Sequence, residues 1–152
     1  MRIGLVAALV FALDFLTKHL VASHLALGQS VPLIPQFLYI TYIDNAGAAF
    51  GLLQNQTLLF LAITAVVIAL ILTYGRRVAR TSPLLGYAFG LQLGGALGNL
   101  LDRLLYARVI DFIDFHVWPY IFNVADASIV IGGALFALVV LREPAAEGSG
   151  RG

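Results

Sequence analysis

Four long apolar segments, roughly residues 3–22, 57–74, 84–101 and 124–141, constrain this chain more than any other feature. About 20 apolar residues in a helix cross the hydrocarbon core of a bilayer. In lipid, a backbone can satisfy its own hydrogen bonds only as a helix or a closed barrel. The second and third segments contain no Asp, Glu, Lys or Arg, and the fourth contains Asp126 alone. Only 11% of the chain is charged, under half of the quarter or so usual for a soluble domain. The expected fold is therefore an all-α membrane protein with four transmembrane helices. One integral domain covers residues 1–142, and a small, polar, glycine-rich tail at 143–152 is expected to be disordered and cytoplasmic. Asp14 and Lys18 inside the first segment, and its lack of a small-residue cleavage pattern, predict a permanent helix rather than a cleaved signal peptide.

The remaining composition removes several functions. A net charge of +1 without a basic face gives no footing for nucleic acid. There is no cysteine, which excludes disulfides and thiolate metal sites. His19, His24 and His116 lack paired ligand spacing. No metal and no other cofactor is expected.

Lysine and arginine in short loops set orientation. Arg2 precedes the first helix, Arg76, Arg77 and Arg80 lie between the second and third, and Arg142 follows the fourth. Residues 23–56 contain neither Lys nor Arg. Both termini are therefore expected in the cytoplasm, with residues 24–56 and 102–123 on the outer side. Arg103 and Arg108 weaken the asymmetry without reversing it. The first outer connection is apolar and rich in β-branched and aromatic residues, and FLYITYI favours a strand. It predicts a small β or amphipathic cradle lying on the membrane. The second connection is expected to be an outer loop between helices three and four, with Trp118 and Tyr120 at headgroup level.

Gly86, Gly90, Gly94 and Gly98 recur every four residues and line one face of the third helix, which suits close helix packing. That row leads to Asn99, Asp102 and Arg103, which share a face at the outer end. Polar groups at membrane depth are expensive, so each is a functional candidate. Asp14 and Lys18, four apart, can neutralise one another or meet a substrate. Asp102 and Arg103 can be interfacial anchors or site residues. Asn123 is a good N-cap, which puts Asp126 in the first turn of helix four as a capping acid or a reactive one. Asp111 and Asp114 can be loop acids or members of a site. Together with Asn99, Asn123 and Arg103, two outer-side carboxylates form a convergent polar pocket. Two close carboxylates share one proton. The charged member can then deprotonate water while the neutral one hydrogen-bonds a substrate carbonyl.

At these residues the chain resembles signal peptidase II, the bacterial prolipoprotein signal peptidase, an intramembrane aspartyl peptidase family. The resemblance covers nearly the whole chain. It rests on DFLTK (Asp14 to Lys18), NAGAAF (Asn45 to Phe50), GGALGNLLDR (Gly94 to Arg103), VIDF (Val109 to Phe112) and FNVADA (Phe122 to Ala127). It implies that Asp111 and Asp126 are the catalytic pair. Asp114 is set aside because the spacing from Arg103 fits Asp111. Asn45, Gly47, Phe50, Asn99, Asp102, Arg103, Asn123, Asp14 and Lys18 are then the site's supporting residues. Asn45 and Arg103 are expected to hold substrate backbone, Asn99 and Asn123 to orient the aspartates, and Asp102 to support Arg103 and the loop. Ala107 stands where the family often has glycine. The implied substrate is a diacylglyceryl-modified prolipoprotein, cut just before its lipidated cysteine at the outer face of the bacterial inner membrane. Membrane lipid and globomycin-type cyclic peptides are the other expected partners of a monomeric enzyme.

The rival reading is a small proton- or ion-coupled transporter using Asp14, Lys18, Asp111 and Asp126 as a relay. The acids gather at one face, helix two offers no polar step, and no internal repeat is visible.

Overall fold

The computed structural model describes residues 2–47 and 56–142. Helix α1 spans Arg2–His24. Two strands follow, β1 (Ser30–Ile34) and β2 (Leu38–Asn45). Helix α2 covers Thr57–Val78 and is wound as a π turn from Ile71 to Gly75. Helix α3 runs Pro83–Tyr106, and strands β3 (Val109–Phe115) and β4 (Ile121–Phe122) lead into α4 (Val124–Arg142). All four helices are long and apolar enough to cross a membrane. The tail from residue 143 lies outside the described residues.

Helix α3 begins and ends for local reasons. Ser82 caps α3 by accepting from the Leu84 N–H at 3.2 Å, with Pro83 in the first turn, where a missing N–H costs nothing. At its other end α3 continues past the apolar run through Asp102 and Arg103. It stops at Ala107, whose φ of 56° is left-handed and whose N–H donates to the Arg103 carbonyl. A glycine would take that conformation freely, and alanine does not.

Helix α3 is the centre of the bundle. More than half of it is buried (56%), against 22%, 11% and 17% for α1, α2 and α4. Lipid is as apolar as leucine, so close backbone packing has to hold these helices together. The glycine row is that seam. A Cβ at Gly94 would lie 2.7 Å from the Ala7 carbonyl oxygen, and one at Gly98 would collide with the Asp14 carboxylate. Gly95, on the neighbouring face, abuts the Ala125 carbonyl of α4, and Gly132 of α4 abuts Ala88. The outer faces of the helices, such as Leu5, Leu9 and Leu13 of α1, are left exposed to lipid.

The strands form one antiparallel sheet in the order β1-β2-β3-β4. The cradle therefore draws on both of the long connections, residues 24–56 and 102–123: VIDFIDF pairs with β2 and is a strand, not only a loop. Its two acids, Asp111 and Asp114, are three apart and so point to opposite faces of the sheet. The β1–β2 hairpin turns over residues 35–37, with Gln36 at φ 65°. The β2–β3 register shifts between Ile40 and Ile43, so that Ile43 faces Asp111 and Asn45 faces Val109. Bulges of this kind re-aim side chains beside active sites.

Candidate active site

The start of α4 is the anchor of the site. The Asn123 Oδ1 accepts from the Asp126 N–H at 2.8 Å, and the Asp126 Oδ2 accepts in return from the Asn123 N–H at 3.4 Å. This reciprocal pair is a capping box with Asp in the place of Glu. A third group joins it from α1. The Asp14 Oδ1 accepts from the Ala125 N–H at 2.8 Å, satisfying another unpaired donor of the helix N-terminus.

Asp111 arrives on β3, one diagonal step from Asn45 on β2. Its Oδ2 accepts from Asn45 Nδ2 at 2.8 Å and its Oδ1 from Asn123 Nδ2 at 2.6 Å. Asn45 cannot turn its oxygen to Asp111, because that oxygen already accepts from the Gly47 N–H at 2.9 Å. Asn45 is thus an orienter of Asp111. Asp126, half-buried at the cavity wall, accepts at Oδ1 from Asn99 Nδ2 at 2.7 Å. Asn123, fully buried, therefore touches both aspartates: Asp111 through its side chain, Asp126 through its backbone.

Lys18 sets the orientation of Asn99. Its ammonium has only donors and lies 3.0 Å from Asn99 Oδ1, which leaves the Asn99 amide hydrogens for Asp126. The same ammonium sits 2.7 Å from Asp14 and 3.0 Å from Asp102. Asp102 also accepts from the Ile110 N–H at 3.2 Å, which pins the start of β3 next to Asp111. Asp102 thus holds the loop as expected, but its charge partner is Lys18 rather than Arg103. Adjacent residues on a helix point about 100° apart, so Asp102 and Arg103 cannot serve one another. Arg103 instead lies over the Phe60 ring, 5.0 Å from its centroid, and makes no ion pair among the described residues.

Asp111, Asp126, Arg103 and Asn45 face one cavity of about 1000 Å³. Its other walls include Trp118 and Tyr120, placed by sequence at headgroup level, and Ile129–Ile131 of α4, which nothing in the sequence separates from ordinary lipid-facing residues. Asp114 is elsewhere, accepting from the Thr41 hydroxyl at 2.7 Å on the sheet. Phe50 lies outside the described residues.

Burial of Asp111 pushes its carboxyl up to about 7. The neighbouring Asp126 charge adds to that rise, while the amide hydrogen bonds from Asn45 and Asn123 oppose it. A carboxyl so placed can hold or release a proton near neutral pH.

A family model described as signal peptidase (SPase) II matches residues 6–142. The chain belongs to the signal peptidase II family. It is 43% identical to a lipoprotein signal peptidase of Pelotomaculum thermopropionicum, over 94% of this chain and 93% of that one. A lipoprotein signal peptidase of Desulfitobacterium hafniense is 41% identical over 97% of each chain. A solved bacterial membrane enzyme shares its fold with a TM-score of 0.88 and 34% identity, over 97% of this chain and 92% of the other. This signal peptidase II family member thus covers most of the length of both relatives and shares the fold of that solved structure.

Proposed function

We propose that this protein is a membrane-embedded aspartyl endopeptidase that removes the signal peptide from diacylglyceryl-modified prolipoproteins, cutting just before the lipidated cysteine. The observation that carries the reading is the pairing of Asp111 and Asp126 on one cavity, both held by amide donors and neither ion-paired to a cation among the described residues. Two such carboxylates keep one proton between them. The charged member draws a proton from water, which adds to the scissile carbonyl while the neutral member donates a hydrogen bond to its oxygen. The roles reverse as the amine leaves. Arg103, without a carboxylate ion pair among the described residues, is left to hold the substrate backbone in this reading. Ile129–Ile131 and Trp118 offer an apolar wall for the lipid or the signal peptide.

The basic residues favour an orientation with both termini in the cytoplasm and the cavity at the outer face. A transporter would need polar groups along the bundle. Among the described residues every buried charge lies at the cavity end.

The test is cleavage. Purified protein in detergent meets a diacylglyceryl-modified precursor, and mass spectrometry locates the cut. A cut before the modified cysteine, lost in both Asp111→Asn and Asp126→Asn, supports the reading. No cut by folded wild-type protein sinks it.

A further inference from the structure

The opposite end of the bundle holds a second groove, of about 970 Å³, between the start of α1, the end of α2 and the start of α3. Arg2, Arg76 and Arg80 line it, and among the described residues no acidic one does. The ion pairs among the described residues all belong to Lys18, at the far end of α1, so these guanidiniums have no carboxylate partner there. Leu5 and Leu72, 64% and 62% exposed, continue the groove into the lipid-facing surface. The π turn of α2 contributes directly. Its wider winding brings residues five apart onto one face, so Ile71 and Arg76 both front the groove. Turns of this kind gather at functional sites.

We propose that this groove binds an anionic phospholipid, with the phosphate against Arg2, Arg76 and Arg80 and the upper part of an acyl chain along Leu5 and Leu72. Guanidinium forks match phosphate oxygens. Basic pockets between transmembrane helices, at the end where arginines gather, take acidic headgroups. A free inorganic anion has no use for the apolar wall. The proposal stands apart from the peptidase chemistry and survives if that reading fails.

Native mass spectrometry of the full chain, released from detergent and titrated with phosphatidylglycerol or phosphatidylethanolamine, tests it. Phosphatidylglycerol is retained in preference to the zwitterionic lipid. Arg76→Gln weakens that retention roughly fivefold, the loss expected of one surface arginine. Arg77→Gln removes the same charge from the neighbouring exposed position, which does not line the groove, and leaves retention near wild type. Gly4→Leu gives a second handle with every arginine kept. A Cβ there meets nothing within 4 Å, so the variant folds, fills the groove and loses lipid. Equal losses in the two arginine variants, indifference to headgroup charge, or displacement of the lipid by inorganic phosphate each overturn the proposal.

Discussion

Asp14 and Asp102 are buried against an ammonium, whereas Asp111 and Asp126 are held by amides. The two clusters touch: Asn99 accepts from Lys18 and donates to Asp126. Yet they are built for opposite ends. In the first, Lys18 neutralises charge within 3.0 Å of both carboxylates, and each carboxylate also ties down a backbone N–H, of Ala125 or of Ile110. Such a cluster locks α1, α3, β3 and α4 together. In the second, no cation forms an ion pair with either carboxylate among the described residues, Lys18 acts on Asp111 only from a distance, and burial keeps the Asp111 proton near neutral pH. The comparison teaches that a buried acid is left able to exchange its proton when its neighbours orient it without forming an ion pair with it.

The largest effect that could break this contrast is on turnover. Asp111→Asn and Asp126→Asn should each lower cleavage by roughly 10²–10⁴-fold, the usual range for losing a general acid or base. Their thermal unfolding in detergent should move less than that of a Lys18 variant. A variant that unfolds and loses activity in parallel would show the second cluster to be structural after all.

Lys18→Met probes the other side. Removing one partner of a buried ion cluster leaves uncompensated charge, at a cost of about 3–5 kcal/mol. The protein should unfold at a markedly lower temperature. Neutralising the whole cluster, with Asp14→Asn, Lys18→Met and Asp102→Asn combined, should recover part of that loss, because no bare charge remains. An unchanged melting temperature for Lys18→Met would show that the cluster is not the lock described above.

Proton linkage gives a smaller, directional effect. The Asp111 carboxyl lies at about 7 when folded, above its ordinary value near 4. A raised carboxyl contributes stability that is complete below the unfolded value and is lost as pH rises through the folded one. Wild-type protein should therefore melt higher at pH 5 than at pH 8, and Asp111→Asn should flatten that slope. Cleavage should also decline above about pH 7, as the pair gives up its shared proton. A melting temperature that rises from pH 5 to pH 8 would contradict the sign.

Much of this was legible in the sequence, for local reasons. Apolar length gives the four helices. The three-residue spacing of Asn123 and Asp126 gives the cap, and the four-residue glycine repeat gives the close-packing face of α3, though not its partner α1. What stayed hidden is what joins residues far apart in the chain. Asn45 meets Asp111 across a bulged β2–β3 register, and the second connection supplies half of the sheet. Asp14 caps a helix 111 residues away. Lys18 reaches past its helical neighbour Asp14 to Asp102 and Asn99 on α3. Neither periodicity nor composition encodes such pairings. The apolar wall at Ile129–Ile131 was invisible for a different reason: a residue facing a cavity and one facing lipid have the same composition.

The smallest effect concerns the joint between the two clusters. Ala107 ends α3 in the left-handed region, four residues after Arg103 and four before Asp111, and its carbonyl accepts from the Thr57 hydroxyl at 3.3 Å. A Cβ in that conformation costs about 1 kcal/mol relative to glycine. Glycine also loses more chain entropy on folding, which returns part of the gain. Ala107→Gly should therefore raise stability by about 0.5 kcal/mol, read as a melting shift of about a degree or two, with cleavage unchanged. If the variant instead melts as wild type but loses activity, the strained turn is holding β3, and Asp111 with it, at the angle that the site requires.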